Sequence, residues 1–340
     1  MKHQRFDEIA AKYPQLRIAV VGDFCLDRYL EIDPACREVS IETGLEVYNV
    51  INVRSQLGAA GTILNNLVAL GVGELTPVGF CGDDGEGYEL RAALKGKASV
   101  RADHFLQTIE RRTFTYCKPI MVEPGKPPRE LNRLDSKNWS PTPERVQNAL
   151  RESLRTVAGS TDAIILMDQV DIPETGVVTA NLLESVRAET AIHPNLLMIG
   201  DSRRSLKGWP PVCLKMNQSE LQTLTGRTVL SIDDVMNTAG SLSRSHGRPV
   251  FITLAEQGIV GAEPSGVVEH FAAPALRGEI DIVGAGDAVT ANLTAALAAG
   301  ATLREALELA MAAASIVIHQ LGTTGTARAD DIRALLFPRP

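Results

Sequence analysis

Two aspartates enclose a segment of small residues near the C-terminus, Asp281-Ile282-Val283-Gly284-Ala285-Gly286-Asp287, and a run of good helix formers follows it. The first N–H groups of a helix have no internal acceptor and lie at the positive end of the helix dipole. A turn of this kind therefore binds anions, phosphate groups included. Asp287 adds a proton acceptor at the same place, so the segment suits an enzyme that moves a phosphoryl group onto a hydroxyl.

A capped turn is the plainer interpretation of the same residues, because aspartate is a common N-cap and glycine-rich turns precede many helices. Such a turn needs nothing else from the chain. Phosphoryl transfer, in contrast, needs a nucleotide site, a hydroxyl acceptor and a way to keep water out. The remaining sequence therefore separates the two interpretations.

The composition narrows the class of protein. The chain has 340 residues, 44% of them hydrophobic, and a formal net charge of −7. This length suits one large α/β domain with an elaboration, or two domains, and the acidic balance argues against nucleic acid or a membrane as partner. The five cysteines are scattered without a Cys-x-x-Cys pair, and the sequence has neither a signal peptide nor an apolar run of membrane length. We expect a cytoplasmic protein with free thiols.

Short apolar runs alternate with helical segments along most of the chain, which predicts an α/β fold with a mostly parallel central sheet. A polar residue ends strand after strand: Asp23, Asp168, Asp201, Asn217 and Thr253. The carboxyl ends of parallel strands border the ligand crevice of open α/β sheets, so these residues predict a line of ligand contacts. For Asp23 a turn role is equally open, and Asp27 is the preferred ligand contact.

Two β-rich stretches interrupt this alternation. Residues 31–57 and 101–135 are expected to pair as a small separate sheet, a lid over the core. The α/β core would then consist of residues 1–30, 58–100 and 136–340. Within it, we expect Gly71 to end a helix that starts near Gly58, and Pro173 to be the first residue of another helix.

Several motifs together resemble the ribokinase-like (PfkB) family of sugar kinases. They are Asp281-x-x-Gly284-Ala285-Gly286-Asp287, Asn217-x-x-Glu220, Thr253-x-x-x-x-Gly258, and Gly22 to Asp27 with Gly58 downstream. The resemblance extends over roughly residues 17–335. It implies an ATP-dependent carbohydrate kinase with a three-layer αβα ribokinase-like fold, a mostly parallel central sheet and a small β-sheet lid.

Within the family, the heptose 7-phosphate kinases of lipopolysaccharide-core synthesis have the most similar stretches: Gly22 to Tyr29, Arg133-Leu134-Asp135, Glu256-Gln257-Gly258 and Leu321 to Thr324. This likeness implies heptose 7-phosphate as the acceptor, through its C1 hydroxyl. Those kinases are often fused to a nucleotidyltransferase domain. Because this chain has no room for one, we expect a stand-alone kinase.

The resemblance also implies roles at the phosphoryl-transfer end. Asp287 would be the catalytic base, and the N–H groups of Gly284, Ala285 and Gly286 would hold the charge of the phosphoryl group. ATP and Mg²⁺ are the implied cofactors. The residues implied near the nucleotide are Asn217, Glu220, Thr253, Glu256 and Gly258, with Glu220 close to Mg²⁺. Asp281 and the loop 322–326 resemble a monovalent-cation site, with K⁺ as the ion.

The residues implied at the sugar are Asp27, Gly58, Thr62, Arg133 and Asp171. This end departs from the family pattern, since Ala59 replaces the second of two glycines and Thr62 stands where the family has an asparagine. Near the nucleotide, Ala255 replaces a frequent glycine. The family's lid commonly mediates dimerisation, so a homodimer is expected. Among the basic residues, Arg133 and Arg203 are the preferred contacts for a substrate phosphate.

Three other functions compete with this reading. A kinase of another sugar, such as ribose, fructose or a nucleoside, would use the same phosphoryl-transfer residues. A weakly catalytic regulatory protein that binds nucleotide or sugar would explain the altered stretch from Gly58 to Thr62, although it has no need of the base Asp287. A dinucleotide-dependent oxidoreductase is disfavoured, because no Gly-x-Gly-x-x-Gly follows the first strand.

Overall fold

Strands and helices alternate through most of the chain in the computed structural model, which describes residues 1–229 and 231–338. The helices are α1 (His3–Ala10), α2 (Ala60–Leu70), α3 (Gly85–Lys95), α4 (Glu144–Ala158), α5 (Ala180–Ile192), α6 (Gln218–Thr225), α7 (Ile232–His246), α8 (Ala285–Ala298), α9 (Leu303–Val317) and α10 (Ala329–Leu336). The strands are β1 (Arg17–Gly22), β2 (Phe24–Ile32), β3 (Glu38–Val39), β4 (Glu46–Val47), β5 (Val50–Ala59), β6 (Glu74–Gly82), β7 (Phe105–Thr108), β8 (Thr115–Met121), β9 (Arg129–Glu130), β10 (Ala163–Asp168), β11 (Leu197–Ser202), β12 (Cys213–Asn217), β13 (Val250–Thr253), β14 (Ile259–Ala262) and β15 (Val268–Phe271).

A nine-stranded sheet forms the centre of the molecule, in the order β15-β14-β13-β12-β11-β10-β1-β6-β7. The strands from β13 to β7 are mutually parallel, whereas β14 and β15 form an antiparallel edge. The carboxyl ends of β1, β10, β11, β12 and β13 therefore meet along one edge of the sheet, which is where an α/β protein binds its ligands.

Helices cover both faces of this sheet, and the alternation of side chains along a strand explains why. In β1, Ile18 and Val20 belong to a core that includes α2, α8 and α9, whereas Ala19 and Val21 belong to a second core with α4, α5 and α7. Because successive side chains of a strand point to opposite faces, a strand buried on both faces is apolar throughout. These three layers confirm the predicted αβα ribokinase-like fold.

A second sheet of four strands, in the order β5-β2-β8-β9, forms what we call the lid sheet. Strand β2 pairs antiparallel with β5 and parallel with β8. The lid sheet begins at Phe24, so residues 24–30, expected in the core, are its first residues. The prediction that all of residues 101–135 belong to the lid was wrong, because β7 pairs in parallel with β6 and is an edge strand of the nine-stranded sheet. The short hairpin of β3 and β4 projects beyond it with exposed side chains.

Two local expectations had different outcomes. Gly71 ends α2 in the left-handed conformation, with φ 84, as predicted. The prediction that Pro173 opens a helix was wrong, since α5 begins at Ala180 behind the N-cap Thr179. The reason is Asp23, which is fully buried and accepts hydrogen bonds from the backbone N–H groups of residues 169, 170 and 177. This carboxylate holds residues 169–177 as a loop and so has the turn role that the sequence left open.

Candidate active site

The segment that ends in Asp287 forms a tight turn at the start of α8, and we call residues 284–287 the anion turn. Gly284 adopts φ 83, a conformation that L side chains rarely take. Asp281 stabilises the approach to this turn, since its carboxylate accepts from the N–H groups of Val283 at 3.0 Å and Gly322 at 3.3 Å. The loop after α9 is therefore tied to the anion turn, and the monovalent-cation site expected of Asp281 and residues 322–326 stays a prediction.

Asp287 lies in the first turn of α8 and is half-buried. Burial raises the pKa of its carboxyl to about 7, the nearby carboxylate of Asp201 adds to the rise, and the Lys215 ammonium opposes it. The charge of Asp27 also raises this pKa, and the charge of Arg203 lowers it. A group that titrates near neutral pH is well suited to general base catalysis, because it is ionised at working pH and still basic enough to take a proton.

Behind the anion turn lies a buried ion pair of Asp201, which was predicted only as a strand-end ligand contact, and Lys215, which belongs to none of the predicted motifs. The Lys215 ammonium donates to the Asp201 carboxylate at 2.7 Å, and the hydroxyl of Thr290 in α8 donates to the same oxygen at 2.9 Å. Asp201 and Lys215 are register partners on β11 and β12, so their side chains point to the same face. A signal was present in the sequence, since a lysine within the apolar strand Cys213-Leu214-Lys215-Met216 requires a buried partner.

Asn217 and Glu220, which were predicted to lie near the nucleotide, form a capping box at the start of α6. The Asn217 side chain accepts from the N–H of Glu220 at 2.9 Å, and the Glu220 carboxylate accepts from the N–H of Asn217 at 2.8 Å. Thr253 lies beside Asn217, because the two residues are register partners at the ends of β12 and β13. These three predicted residues therefore meet at one end of the crevice.

The turn after β13 contains Glu256 and Gly258. Glu256 is exposed, whereas Gly258 has φ 97 and leaves no room for a side chain, since an added Cβ would lie 2.0 Å from the carbonyl oxygen of Phe271. Gly258 is thus required by the turn itself. Ala255, which replaces the glycine frequent in the family, adopts φ 50 and is strained there.

Asp27 and Gly58, which were predicted as sugar contacts, lie against each other on neighbouring strands of the lid sheet. A Cβ added to Gly58 would approach the Asp27 carboxyl to 3.0 Å, so glycine is what allows this carboxyl its position. Burial raises the pKa of Asp27, and Lys118, 4.0 Å from its carboxylate, lowers it again in part. Lys118 belongs to none of the motifs from which the sugar contacts were predicted.

The remaining predicted sugar contacts are either buried or already paired with another side chain. Thr62 is buried, donates weakly to the carbonyl of Leu57 at 3.4 Å, and turns its methyl group towards Gly284. Arg133 pairs with Asp135 at 2.6 Å, and Asp171 pairs with Lys137 at 2.7 Å. Thr62 therefore packs behind the anion turn, whereas the two charged residues already have partners.

Arg203, just beyond β11, has a side chain that forms neither a hydrogen bond nor an ion pair with any residue the structure describes. Its charge acts to lower the pKa of Asp171, Asp287 and Glu220, so the guanidinium is close to all three carboxylates. A cavity of about 670 Å³ opens beside it, lined also by Arg204 and Lys207. This uncommitted guanidinium is available to a ligand anion.

No cluster of three or more metal-ligating side chains occurs among residues 1–229 and 231–338. Magnesium in phosphoryl-transfer enzymes is commonly held by one or two carboxylates together with the phosphates of the substrate, so a cluster of that kind is not required. Glu220 fits this donor set. Burial and the charge of Asp201 act to raise the pKa of its carboxyl, and the N–H of Asn217 acts to lower it. A bound cation would stabilise the ionised carboxylate.

Comparison with known proteins agrees with this geometry. The family model "pfkB family carbohydrate kinase" matches residues 17–330. The Bifunctional protein HldE of Pelobacter propionicus is 28% identical over 342 residues, and that of Rhodospirillum rubrum is 30% identical over 331 residues. These matches cover 98% and 96% of this chain but only 66% and 64% of the relatives' own length.

Solved structures show the same fold at low identity. Arabidopsis thaliana ribokinase complexed with ribose and ATP superposes with a TM-score of 0.68 at 18% identity, covering 95% of this chain and 99% of that chain. Escherichia coli phosphofructokinase-2 in complex with substrates and products has a TM-score of 0.71 at 18% identity, covering 94% and 98%.

The aspartate at the start of α8, the glycine-containing turn before it and the polar strand ends along one sheet edge agree with these matches, which define a carbohydrate kinase of ribokinase-like fold. The chain belongs to the pfkB family of carbohydrate kinases. Among the helices of the described residues, none has both the length and the apolarity that a membrane span needs.

Proposed function

We propose that this protein is an ATP-dependent kinase that phosphorylates a hydroxyl of a sugar phosphate, with the C1 hydroxyl of heptose 7-phosphate as the first candidate acceptor. The observation that carries the kinase chemistry is the carboxyl of Asp287, whose pKa of about 7 and position at the N-terminus of α8 suit a base beside an anion hole. The heptose candidate is supported by the sequence stretches shared with heptose 7-phosphate kinases.

In the proposed reaction, Asp287 takes the proton of the acceptor hydroxyl. The hydroxyl oxygen forms a bond to the γ-phosphorus of ATP as the bond between that phosphorus and the bridging oxygen breaks, and ADP leaves. The N–H groups of Gly284, Ala285 and Gly286 stabilise the charge on the phosphoryl oxygens. The lid sheet, which carries Asp27 and Gly58, would keep water from the reacting atoms.

The implied ions have candidate positions. Glu220, beside Asn217, would hold Mg²⁺, which when bound neutralises the charge of the β- and γ-phosphates. Asp281 would contribute to a K⁺ site together with the loop at 322–326, since its carboxylate already joins that loop to the anion turn. Thr253, Glu256 and Gly258 would border the nucleotide.

A phosphate on the acceptor is supported by a cavity whose charged lining consists of three basic side chains and the carboxylates of Asp171 and Glu174. Arg203, Arg204 and Lys207 line it, and Arg204 is committed to Asp168 by hydrogen bonds of 2.9 and 3.0 Å. Arg203 is therefore the proposed contact for the substrate phosphate, because guanidinium groups bind phosphate in a forked geometry. Arg133 is the alternative contact, at the cost of its ion pair with Asp135.

A homodimer through the lid is part of the proposal. The strand β5 is ten residues long, forms an edge of the lid sheet and carries exposed Val50, Ile51 and Val53. An apolar edge strand is a template for pairing with another chain. Val39, Ile41 and Leu45 of the nearby hairpin region are exposed as well.

The proposed function is tested by measuring ADP release from ATP with a panel of free sugars and their phosphates, heptose 7-phosphate included, with and without K⁺. We expect turnover with a sugar phosphate, and a raised KM for that acceptor in Arg203→Met with little change in the KM for ATP. Activity confined to free hexoses, pentoses or nucleosides would exclude the sugar-phosphate acceptor and leave the kinase class intact.

The role of Asp287 has its own test in the same assay. Asp287→Asn keeps the shape of the side chain but cannot accept the proton, so we expect a fall in kcat of at least about 10³-fold with nucleotide binding retained. Binding is measured by calorimetry with ADP. An Asp287→Asn enzyme with near wild-type turnover would rule out this residue as the base.

A further inference from the structure

The buried ion pair behind the anion turn has a position that folding alone does not explain. The side chain of Lys215 is 8% accessible and that of Asp201 is 9% accessible. Taking two charges out of water costs several kcal/mol per ion, so well-packed apolar residues at such sites are often as stabilising as the pair. An ammonium kept at this position is therefore better explained by an electrostatic role at the anion turn.

The ammonium lies directly against the anion turn. A Cβ added to Gly286 would be 3.2 Å from the Lys215 nitrogen, so the lysine fills the space that a side chain at this residue would take. The ammonium has three N–H donors, and in the described residues its hydrogen-bond partner is Asp201. Donors therefore remain for a group bound at the turn.

The surrounding contacts hold this charge in place. Strand β12 fixes the lysine backbone, and Asp201 fixes its nitrogen from the neighbouring strand β11. The Thr290 hydroxyl, which donates to Asp201 and also contacts the Gly286 carbonyl at 3.1 Å, connects the pair to the first turns of α8. A charge that needs no reorganisation during the reaction stabilises a transition state most effectively.

The protonation state of the lysine agrees with this role. Burial acts to lower the pKa of Lys215, but Asp201, Asp287 and Glu220 outweigh burial and raise it. The side chain is therefore a permanent cation at neutral pH. Its charge also acts on Asp287 in the direction that favours the ionised base.

We propose that Lys215 is a catalytic residue whose ammonium contacts the phosphoryl group in transit at the anion turn, with Asp201 as the residue that positions it. This inference rests on the proposed kinase function. It adds a side-chain cation to an anion hole that otherwise consists of backbone N–H groups. The ligand class at this position is a phosphoryl group or an anion that resembles it.

The test removes the charge and keeps the contact. The double variant Lys215→Gln/Asp201→Asn replaces the ion pair by an amide pair, which avoids leaving an unpaired buried carboxylate. With the acceptor that the wild type phosphorylates, and at a pH above 8 where Asp287 is ionised, we expect kcat to fall by about 10²-fold or more, as for the loss of one oxyanion donor. Lys215→Arg keeps the charge and is expected to retain more activity than the neutral pair.

Binding gives a second readout that is independent of turnover. Aluminium fluoride with ADP and the acceptor imitates the phosphoryl group in transit. We expect the double variant to bind this complex about 10²-fold more weakly than the wild type, with ADP alone bound equally well. A matched control is Arg5→Met/Glu305→Gln, which removes a partly buried ion pair of 3.0 Å near the opposite end of α8 and is expected to change neither readout.

The outcomes separate the inference from the proposed function. A double variant that turns over like the wild type, or that loses ADP and the aluminium fluoride complex equally, would overturn the role of Lys215. If the amide pair does not fold, Lys215→Met/Asp201→Asn provides the same comparison with an apolar side chain. A wild-type protein without turnover on any acceptor, or an active Asp287→Asn, would instead overturn the proposed function.

Discussion

The pKa of Asp287 is raised to about 7 mainly because the carboxyl is withdrawn from water, and this has a consequence for stability as well as for catalysis. In an unfolded chain an aspartate titrates near pH 3.9. The folded protein therefore favours the protonated carboxyl, and its stabilising contribution is complete below pH 3.9 and is lost as the pH rises through 7.

Asp287→Asn is accordingly expected to be more stable than the wild type at pH 8, by on the order of 2 kcal/mol. An amide needs no ionisation, so the variant avoids the cost of a buried charge. Urea unfolding at pH 8 and at pH 4 measures the difference, which is expected to vanish at the lower pH. Equal stability of the two proteins at pH 8 would mean that Asp287 is well solvated.

Ala59 and Ala255, which replace glycines usual in the family, both adopt positive φ, 54 and 50 respectively. A residue with a Cβ is strained in this region, at a cost of about 1–3 kcal/mol. Ala59 has ψ −119 as well, immediately before α2. Alanine in place of glycine at these two positions therefore lowers the stability of the folded protein, but does not prevent the fold.

Ala59→Gly is expected to raise the free energy of unfolding by about 1 kcal/mol, because relief of strain exceeds the extra entropy of glycine in the unfolded chain. The reverse change at a glycine of positive φ, Gly71→Ala at φ 84, is the matched control and is expected to destabilise by a similar amount. Urea denaturation measures both. A destabilised Ala59→Gly would contradict the assignment of strain.

The start of α6 illustrates how one sequence motif fits two roles. Asn217-x-x-Glu220 is compatible both with capping of the helix and with binding of Mg²⁺ and phosphate. The motif is a capping box, which would be present in a protein without any nucleotide site. Its location at the carboxyl end of β12, beside the ends of β11 and β13, is what makes it a candidate for binding Mg²⁺ and phosphate.

Two substitutions of Glu220 distinguish these roles. Glu220→Gln retains an acceptor for the N–H of Asn217, so we expect nearly wild-type stability but a requirement for higher Mg²⁺ concentrations. Glu220→Ala is expected to lose about 1 kcal/mol of stability in addition. Thermal unfolding and the Mg²⁺ dependence of ADP release are the measurements, and an unchanged Mg²⁺ dependence in Glu220→Gln would remove this residue from the metal site.

The exposed apolar residues of β5 are the feature of the whole molecule from which we propose a dimer. Ile51 is 54% exposed in this edge strand. Ile51→Asp is expected to shift a dimer towards monomer, with at least a tenfold rise in the dissociation constant, because a buried charge at an apolar interface is costly.

Sedimentation of the wild type and of this variant measures the shift. Ile192→Asp, at an isoleucine of α5 that is 64% exposed and lies outside the lid sheet, is the control and is expected to leave the association unchanged. A wild-type protein that stays monomeric at micromolar concentration would contradict the dimer through the lid sheet.

Much of the fold was predictable because it depends on periodicity. Apolar runs that end in a polar residue predicted the parallel strands, and the breaks in that rhythm predicted the lid sheet. The misplaced helix start at Pro173 shows the limit. Its cause is Asp23, a residue 150 positions away in the chain, whose carboxylate holds the loop that follows β10.

The class of chemistry was predictable from motifs, because Gly284, Ala285, Gly286 and Asp287 bring a carboxylate and free helix N–H groups into one helical turn, and the other motifs of the chain favour phosphoryl transfer over a simple capped turn. Only the tertiary structure decided what surrounds that turn. Lys215 and Asp201 come from separate strands, Thr290 from a helix and Arg203 from a loop, and no local pattern relates them. The pKa of Asp287 depends on burial by residues from several elements and on charges remote in the chain, which is why the sequence could propose this residue as the base but could not predict its pKa.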